Sequence, residues 1–432
     1  DVMSFRTATV DNRMVIDGNG NVGIGVTPKS WQSGWTALQI GATSAVQSVG
    51  GTQTAISENL YRDSSDTRWE RIEAGGVSWI NLEDGRIDFY NADSDDGGSG
   101  ANSAITFTKS LVLDNNSRIS LSNNDSGGTG GLNSTTGNTV FGYLAGQSID
   151  SGSVNNTFIG HGVSDATMND ATNNVGVGSG ALSALTTGDE NVVIGKGAGV
   201  TLTTGSKNIV LGGEALDATT ESEYCIAIGF QAGSAIDDTD ANGSVLIGHQ
   251  SGKAITDGVR NTAIGYGSMI VQSQGNDNIA IGWEAMHDLN NVAANNNIAI
   301  GNYAFDKAPA VAVINNTVIG NEAMRGVLTA AADNNTAIGF TAGTAITSGD
   351  ANTIVGSLAG DALTDGANNV IIGCVAGSTT TSVNEAVIIG KGACESGDVT
   401  AAATGTVAVG RNALAALTEG IGNVAVGYQA LD

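Results

Sequence analysis

The chain has 432 residues, of which 63 are glycine and 2 are proline, and its formal net charge is −26. Collagen is excluded because its triple helix needs glycine at every third position together with abundant proline. Intrinsic disorder is disfavoured because aliphatic and β-branched residues recur throughout the chain. The 17 basic residues cannot supply the basic face that nucleic acid binding needs against 43 acidic ones, and no window holds 18 consecutive apolar residues. We therefore expect no nucleic acid partner and no membrane insertion.

The N-terminal segment, 1–54, is predicted to form a β-hairpin connector. The segment Met14–Gly25 has apolar residues on both sides of an Asp-Gly turn, a pattern typical of two strands joined by a tight turn. The chain begins at Asp1 rather than at methionine, so we expect a mature or partial chain.

Residues 55–121 are predicted to form a small β-domain that contains two of the five tryptophans, and a Gly/Ser/Asn-rich linker follows at 122–137. A second hairpin is predicted over Leu111–Leu121. The predicted short strands between the two hairpins are Thr67–Glu73, Val77–Leu82, Ile87–Tyr90 and Ala104–Lys109.

Residues 138–432 contain a repeat of the form Asn-x-x-Ile-Gly-x-x-Ala. Its glycine recurs 17 times between Gly142 and Gly427, and nine of the 16 spacings are 17 residues while the others are 18 to 20. The structural repeat residues are illustrated by Asn191, Ile194 and Gly195, by Asn261, Ile264 and Gly265, and by Asn335, Ile338 and Gly339. Regular repetition at this length predicts a stacked repeat architecture.

The three residues before each glycine read as a short strand with two apolar faces, one large and one small. Side chains alternate along a strand, so Val192 and Ile194 share one face while Val193 points to the other. A 17-residue unit is too short for a βαβ unit, but it fits one coil of a solenoid. The predicted fold class is therefore all-β: a parallel β-solenoid, or β-roll, of about 17 short coils, preceded by a small β-domain.

The asparagine and alanine of the unit carry further expectations. Asparagine opens 13 of the 17 units, and we expect it to bond its own turn and to stack in a ladder along the coils. Alanine stands three residues after the glycine in 14 units, for example at Ala198, and we expect it on a second, shorter strand.

A thin solenoid can bury one apolar face in its lumen, whereas the other face needs a cover. Three identical chains around one axis would bury that face in a central core, so we expect a homotrimer. A dimer or a monomer with a flat covered side remains an alternative. At roughly 4.8 Å per coil, 17 coils predict a length on the order of 80 Å.

Two segments carry a resemblance to known families. The phrase Asn12–Gly25, followed by Thr27–Trp31, resembles the connecting modules of bacteriophage tail fibres, and the Asn-x-x-Ile-Gly-x-x-Ala array is similar to the head repeats of trimeric autotransporter adhesins. The resemblance implies a homotrimeric, elongated fibre that recognises a surface. The array ends at Asp432 without a capping change, so we expect more chain to follow.

Catalytic signals are weak. The three histidines, His161, His249 and His287, have no matching nucleophile, and the three cysteines lie far apart, so we expect no enzyme activity, no metal site and no cofactor. Two sets of carboxylates could serve glycan hydrolysis or calcium binding, but both have the composition of solvated turns: Asp93, Asp95 and Asp96, and Asp237, Asp238 and Asp240. No EF-hand frame fits the first set, because its twelfth position is Ala104.

The position directly after the repeat glycine varies freely and holds most of the aromatic residues of the array. We expect it to face outward or toward a neighbouring chain, where it either packs between chains or contacts a host glycan by ring stacking. The candidate contact residues are Tyr143, Phe230, Tyr266, Trp283, Phe340 and Tyr428.

The sequence-based hypothesis is a structural and adhesive tail fibre of a phage virion, an extracellular location. Its expected partners are further copies of itself, other virion tail proteins and a cell-surface glycan or protein receptor. A bacterial surface trimeric adhesin is the alternative, and a glycan-degrading tailspike is a more distant one.

Overall fold

The computed structural model describes residues 2–7, 10–29, 31, 35–49, 53–62, 69–72, 76–83, 86–92, 108–113, 119–121, 137–237, 242–289, 294–307, 312–329, 332–397 and 399–432. The chain divides into two compact units, Asp1–Thr139 and Val140–Asp432. Every named element of the described chain is a β-strand except one short 3₁₀ helix, Ala401–Ala403. The predicted all-β class is confirmed.

The described residues of the first unit contain twelve strands. Ten of these strands form one sheet in the order β1-β2-β3-β4-β5-β6-β9-β10-β11-β12, while β7 and β8 form a separate pair. Neighbours in the sheet are antiparallel except the parallel pair β3 and β4. The strands are β1 Met3–Thr7, β2 Val10–Ile16, β3 Val22–Ile24, β4 Thr36–Ile40, β5 Ser44–Val49, β6 Gln53–Glu58, β7 Leu60–Arg62, β8 Trp69–Arg71, β9 Val77–Glu83, β10 Arg86–Ala92, β11 Thr108–Leu113 and β12 Ile119–Leu121.

Both predicted hairpins are present in this sheet. β2 pairs with β3 through a turn in which the Asp17 carboxylate accepts hydrogen bonds from the backbone N–H groups of Asn19 and Asn21, at 2.9 and 2.8 Å. β11 pairs with β12 in the second hairpin. Strand β6 crosses the boundary predicted between residues 54 and 55, so one continuous sheet runs through the predicted connector and the predicted β-domain. Of the predicted linker at 122–137, all but residue 137 lies outside the described residues.

Aromatic rings form the core of the first unit. Trp31 is buried and meets Tyr61 edge to face, with ring centres 6.2 Å apart. The Tyr61 hydroxyl donates to a carboxylate oxygen of Glu70 at 2.8 Å, which satisfies both buried groups across the β7–β8 pair. Tryptophan is thus concentrated here because this unit, unlike the repeats, needs bulky side chains to fill its interior.

The second unit is a parallel β-solenoid with one 17-stranded sheet in strict chain order, β13 to β29. The strands are three residues each: β13 Thr139–Phe141, β14 Thr157–Ile159, β15 Val175–Val177, β16 Val192–Ile194, β17 Ile209–Leu211, β18 Ile226–Ile228, β19 Val245–Ile247, β20 Thr262–Ile264, β21 Ile279–Ile281, β22 Ile298–Ile300, β23 Thr317–Ile319, β24 Thr336–Ile338, β25 Thr353–Val355, β26 Val370–Ile372, β27 Val387–Ile389, β28 Val407–Val409 and β29 Val424–Val426. Equivalent residues pair in register, as Val193 does with Val210.

The middle residue of each strand faces the lumen, and the two flanking residues face outward. Val193, Ala263 and Ile354 are completely buried, whereas Ile194 keeps 37% of its surface exposed. The prediction of two apolar faces is confirmed, and the structure assigns the face with the smaller residues in most coils to the interior. A narrow lumen explains this choice, because stacked coils leave little room between the strand and the opposite turns.

The prediction of a second short strand at the repeat alanine is wrong. Ala198 is fully buried, but it lies in a turn rather than a strand. The second and fourth residues after the glycine adopt left-handed conformations in successive coils, as Glu214 (φ 54°) and Leu216 (φ 49°) show. Alternating left-handed residues cannot form an extended strand. The coils still bond to one another here, because the Gly199 N–H donates to the Ala215 carbonyl at 3.0 Å.

Candidate functional site: the stacked rows of the solenoid

An asparagine ladder runs inside the solenoid. The side-chain oxygen of Asn191 accepts from the backbone N–H and from the side-chain amide of Asn208 in the next coil, both at 3.0 Å. Its own amide donates to the Asn174 side-chain oxygen at 3.0 Å and to the Gly205 carbonyl at 2.9 Å. Gly205 belongs to the next coil, so every bond of the Asn191 side chain joins neighbouring coils and the predicted ladder is confirmed. A bond to the residue's own turn forms at some members only: the Asn174 and Asn316 amides donate to the Thr172 and Ile314 carbonyls at 3.1 and 3.2 Å.

The ladder also runs through Asn261 and Asn335, with interruptions where other residues open the unit. At Ser244 the hydroxyl accepts from the Asn261 N–H at a longer 3.3 Å, and at Ala386 only the backbone N–H bonds to Asn369, at 2.9 Å. From Asn261 to Asn369 the ladder is continuous over seven asparagines, so side-chain bonds supplement the strand bonds over this stretch. This polar row has the geometry of a structural element, because all its donors and acceptors bond within the solenoid.

The repeat glycine is explained by close backbone approach. Gly195 has φ +147°, and a Cβ placed there would lie 2.4 Å from the Gly212 carbonyl oxygen of the next coil. The same holds at Gly265 and Gly339, where that distance is 2.3 Å. Only glycine fits this column, so the glycines fix the stacking distance of the coils.

All six predicted contact residues are exposed. The exposed fractions are 71% for Tyr143, 45% for Phe230, 40% for Tyr266, 44% for Trp283, 51% for Phe340 and 66% for Tyr428. They belong to one outward-facing column, here called the aromatic row, which consists of the residues directly after the 17 repeat glycines. The structure places this column outside the core, as predicted.

Within the aromatic row the rings stack on one another along the coils, which sequence reasoning missed. Phe230, His249, Tyr266 and Trp283 form four consecutive levels with ring centres 5.6, 5.0 and 4.2 Å apart. The His249, Tyr266 and Trp283 rings are within 11° of parallel at each step, whereas Phe230 is inclined by 29° to His249. The Tyr266 ring, between two near-parallel neighbours, therefore presents mainly its edge to solvent. A sugar ring stacks on an aromatic face, and such a face is free only at the ends of the stack.

The outer face of the 17-stranded sheet is a second continuous feature, here called the outer apolar face. It consists of the first and third residues of each strand from β13 to β29, which are valine, isoleucine, leucine, threonine or phenylalanine. Ile159, Ile209 and Ile300 each keep between 36% and 40% of their surface exposed. A largely apolar strip that recurs at every coil is typical of an interaction surface.

The carboxylates considered for hydrolysis or calcium fall mostly outside the described residues. Asp93, Asp95, Asp96, Asp238 and Asp240 lie there, and Asp237 is exposed. Burial raises the pKa of the Cys394 thiol to about 12 and also raises the pKa of Cys225, so neither thiol is a ready nucleophile near neutral pH. No helix among the described residues is long and apolar enough to cross a membrane.

The fifth residue after each glycine forms another column, here called the fifth-position row. In three successive coils it holds His287, Asp306 and Arg325. One ligand atom from each of His287, Asp288 and Asp306 lies within 4.8 Å of the others. Sequence reasoning missed this cluster because it sought ligands close in sequence, although aligning the repeats on their glycines places His287 and Asp306 in one column.

These features define a parallel β-solenoid repeat protein with an internal asparagine ladder and an apolar outer face. Comparison with protein-family models, with curated proteins and with solved structures gave no match. The function must therefore be inferred from the geometry of the chain itself.

Proposed function

We propose that the chain is a structural, adhesive fibre of a bacteriophage virion, a tail fibre, and that three copies assemble through the outer apolar face. The observation that carries the proposal is that face: 17 in-register strands place two columns of mostly apolar side chains, with threonine at six first positions, on one side of the solenoid.

The apolar face favours self-association over a small ligand. Because the strands stack in register, the face repeats at every coil and is complementary to another copy of itself along its whole length. Its aliphatic side chains would leave water on assembly, at about 25 cal/mol for each Å² of apolar area buried. Three copies around one axis remove all three faces from water at once, which leaves the turns and the aromatic row outside.

The oligomeric state tests this assembly directly. Light scattering or native mass spectrometry should give about three times the 43.2-kDa mass of the chain. An Ile264→Asp/Ile281→Asp variant places two charges on the outer apolar face and should dissociate the assembly. Phe340→Asp is the matched control, because it puts a charge on an exposed apolar residue of a different column. A monomeric parent chain, or a trimer that survives the paired substitution, would refute the proposed interface.

Surface recognition is proposed for the aromatic row, with a host glycan or protein as the partner. A labelled parent chain should bind host cells, and a Tyr266→Ala/Trp283→Ala variant should bind less, because it removes two adjacent levels of the ring stack. Asn321→Ala, at an exposed non-aromatic position of the same row, is the control. Equal cell binding by all three proteins would remove the row from the contact surface.

Two alternatives share parts of this architecture. A bacterial surface adhesin would have the same solenoid. Neighbouring genes distinguish it from a tail fibre: genes for virion assembly indicate a phage, and genes for outer-membrane secretion indicate a bacterial adhesin. A glycan-degrading tailspike would release reducing ends from host polysaccharide, and a reducing-sugar assay measures that directly.

A further inference from the structure

The fifth-position row places ionisable side chains of successive coils next to one another. His287 follows β21, Asp306 follows β22, and each is the fifth residue after its repeat glycine. The coils are held in register at this level, because the Asp288 N–H donates to the Asp306 carbonyl at 2.8 Å. In-register stacking thus brings together groups that belong to different coils and are distant in the sequence.

The side chains of this cluster converge closely. The His287 Nδ1 atom lies 2.8 Å from the Asp288 Oδ1 atom, and one ligand atom from each of the three residues lies within 4.8 Å of the others. The Asp306 side chain is only 5% exposed. Tetrahedral zinc bonds of about 2.0 to 2.2 Å put ligand atoms about 3.4 Å apart, so small side-chain rotations bring the three groups to bonding geometry.

The charge around the cluster favours a cation. Arg325 lies with its Nε atom 3.4 Å from the Asp306 Oδ2 atom and its Nη1 atom 3.3 Å from the Glu322 Oε1 atom. Its guanidinium also lies 4.3 Å from the ring centre of Tyr303, which holds it to one side. Asp306 and Glu322 share the Arg325 guanidinium, and Asp288 adds a third carboxylate beside the imidazole, so the carboxylates around the cluster outnumber the guanidinium by two.

We propose that His287, Asp288 and Asp306 bind a divalent transition-metal ion of the zinc type. An imidazole beside two carboxylates selects such ions over magnesium and calcium, which prefer oxygen ligands throughout. The ion links two successive coils at the start of a run of three 19-residue repeats, from Gly282 to Gly339. This inference does not depend on the proposed fibre function.

Titration of the full chain tests the site. Calorimetry with zinc chloride should show one ion per chain, and cobalt(II) should give the visible absorption of a tetrahedral complex. Both His287→Gln and Asp306→Asn should weaken binding at least about tenfold. His287 is 29% exposed, so its replacement preserves the fold, which circular dichroism verifies.

Two controls separate this site from adventitious binding. Asp217→Asn changes a carboxylate of the fifth-position row whose neighbours in that row, Val200 and Ser234, are not ionisable. His249→Gln changes a histidine of the aromatic row. Both variants should bind zinc like the parent chain. Undiminished binding by His287→Gln, an equal loss in His249→Gln, or no binding to the parent chain up to about 1 mM zinc would overturn the proposal.

Discussion

Replacing Asn191 with alanine tests whether the asparagine ladder holds the coils together. The substitution removes four hydrogen bonds, two accepted from Asn208 and two donated to Asn174 and Gly205. It leaves the Asn208 N–H and the Gly205 carbonyl buried without the partners that the ladder supplies. Each such group costs about 1 to 3 kcal/mol, so the free energy of unfolding should fall by about 2 to 6 kcal/mol.

Hydrogen exchange measured by mass spectrometry is the appropriate assay. A repeat array responds to a local defect in the coils that contact it, so one global midpoint understates the effect. Peptides covering 191–211 should exchange faster in the Asn191→Ala variant, while peptides covering 335–356 should exchange as in the parent chain.

Asn321→Ala is the matched control, because its exposed side chain makes only a long 3.4 Å bond to the Asn302 carbonyl. It should leave exchange unchanged throughout the array. If Asn191→Ala exchanged no faster than Asn321→Ala, the ladder would contribute nothing measurable, and strand pairing and lumen packing alone would hold the coils.

Three further substitutions probe the glycine column, the lumen and a carboxylate. Gly212→Ala should prevent local stacking of the coils, since its Cβ would lie 2.3 Å from the Gly229 carbonyl oxygen. Gly180 is the control, because it also has a positive φ but a Cβ there would have nothing within 4 Å; Gly180→Ala should lower the free energy of unfolding in urea by only about 1 kcal/mol. Gln272→Leu should stabilise by about 1 to 3 kcal/mol, because both polar atoms of that buried side chain lack a partner, and an unchanged urea midpoint would contradict this. Burial raises the pKa of Asp361, which penalises its ionised form in the folded chain. Asp361→Asn should therefore raise the melting temperature near pH 7. The difference in melting temperature between variant and parent should shrink as the pH falls through the raised pKa, and it should vanish below the pKa of the unfolded chain, about 3.9. A difference that does not depend on pH would show that ionisation is not its cause.

The repeat frame predicted the strands of the solenoid because every coil must present the same residues at the same height. The asparagine, the aliphatic pair and the glycine recur in the sequence since each bonds or packs against its own equivalent one coil away, as Val193 does with Val210. Which face of the strand points into the lumen was not predictable. Both faces of Val192–Ile194 are apolar, and the alternation of side chains shows that there are two faces but not which of them is buried.

The turns were harder to predict than the strands. Leu216 and Glu214 adopt left-handed backbone at positions where their residue types give no local signal, and only stacking against neighbouring coils stabilises that conformation. The ring stack of the aromatic row and the fifth-position cluster were missed for a related reason. Their members are separated in sequence by a whole coil, so their proximity is visible only once the coils are aligned on their glycines.

The ring stack of the aromatic row and the cluster in the fifth-position row both form although the repeats differ in length. The position of the extra residues within the longer repeats explains this. Leu289 fills the lumen at the same distance after Gly282 as Leu202 does after Gly195, so the additional residues of the longer repeat come later, before the next ladder asparagine. Every column from the glycine to its fifth residue therefore keeps its register, and Phe230 still stacks on His249 across one of the longer repeats. In this fold, chemistry arises wherever neighbouring coils carry suitable residues in one column, so the aligned columns, and not sequence-local motifs, are where binding groups must be sought.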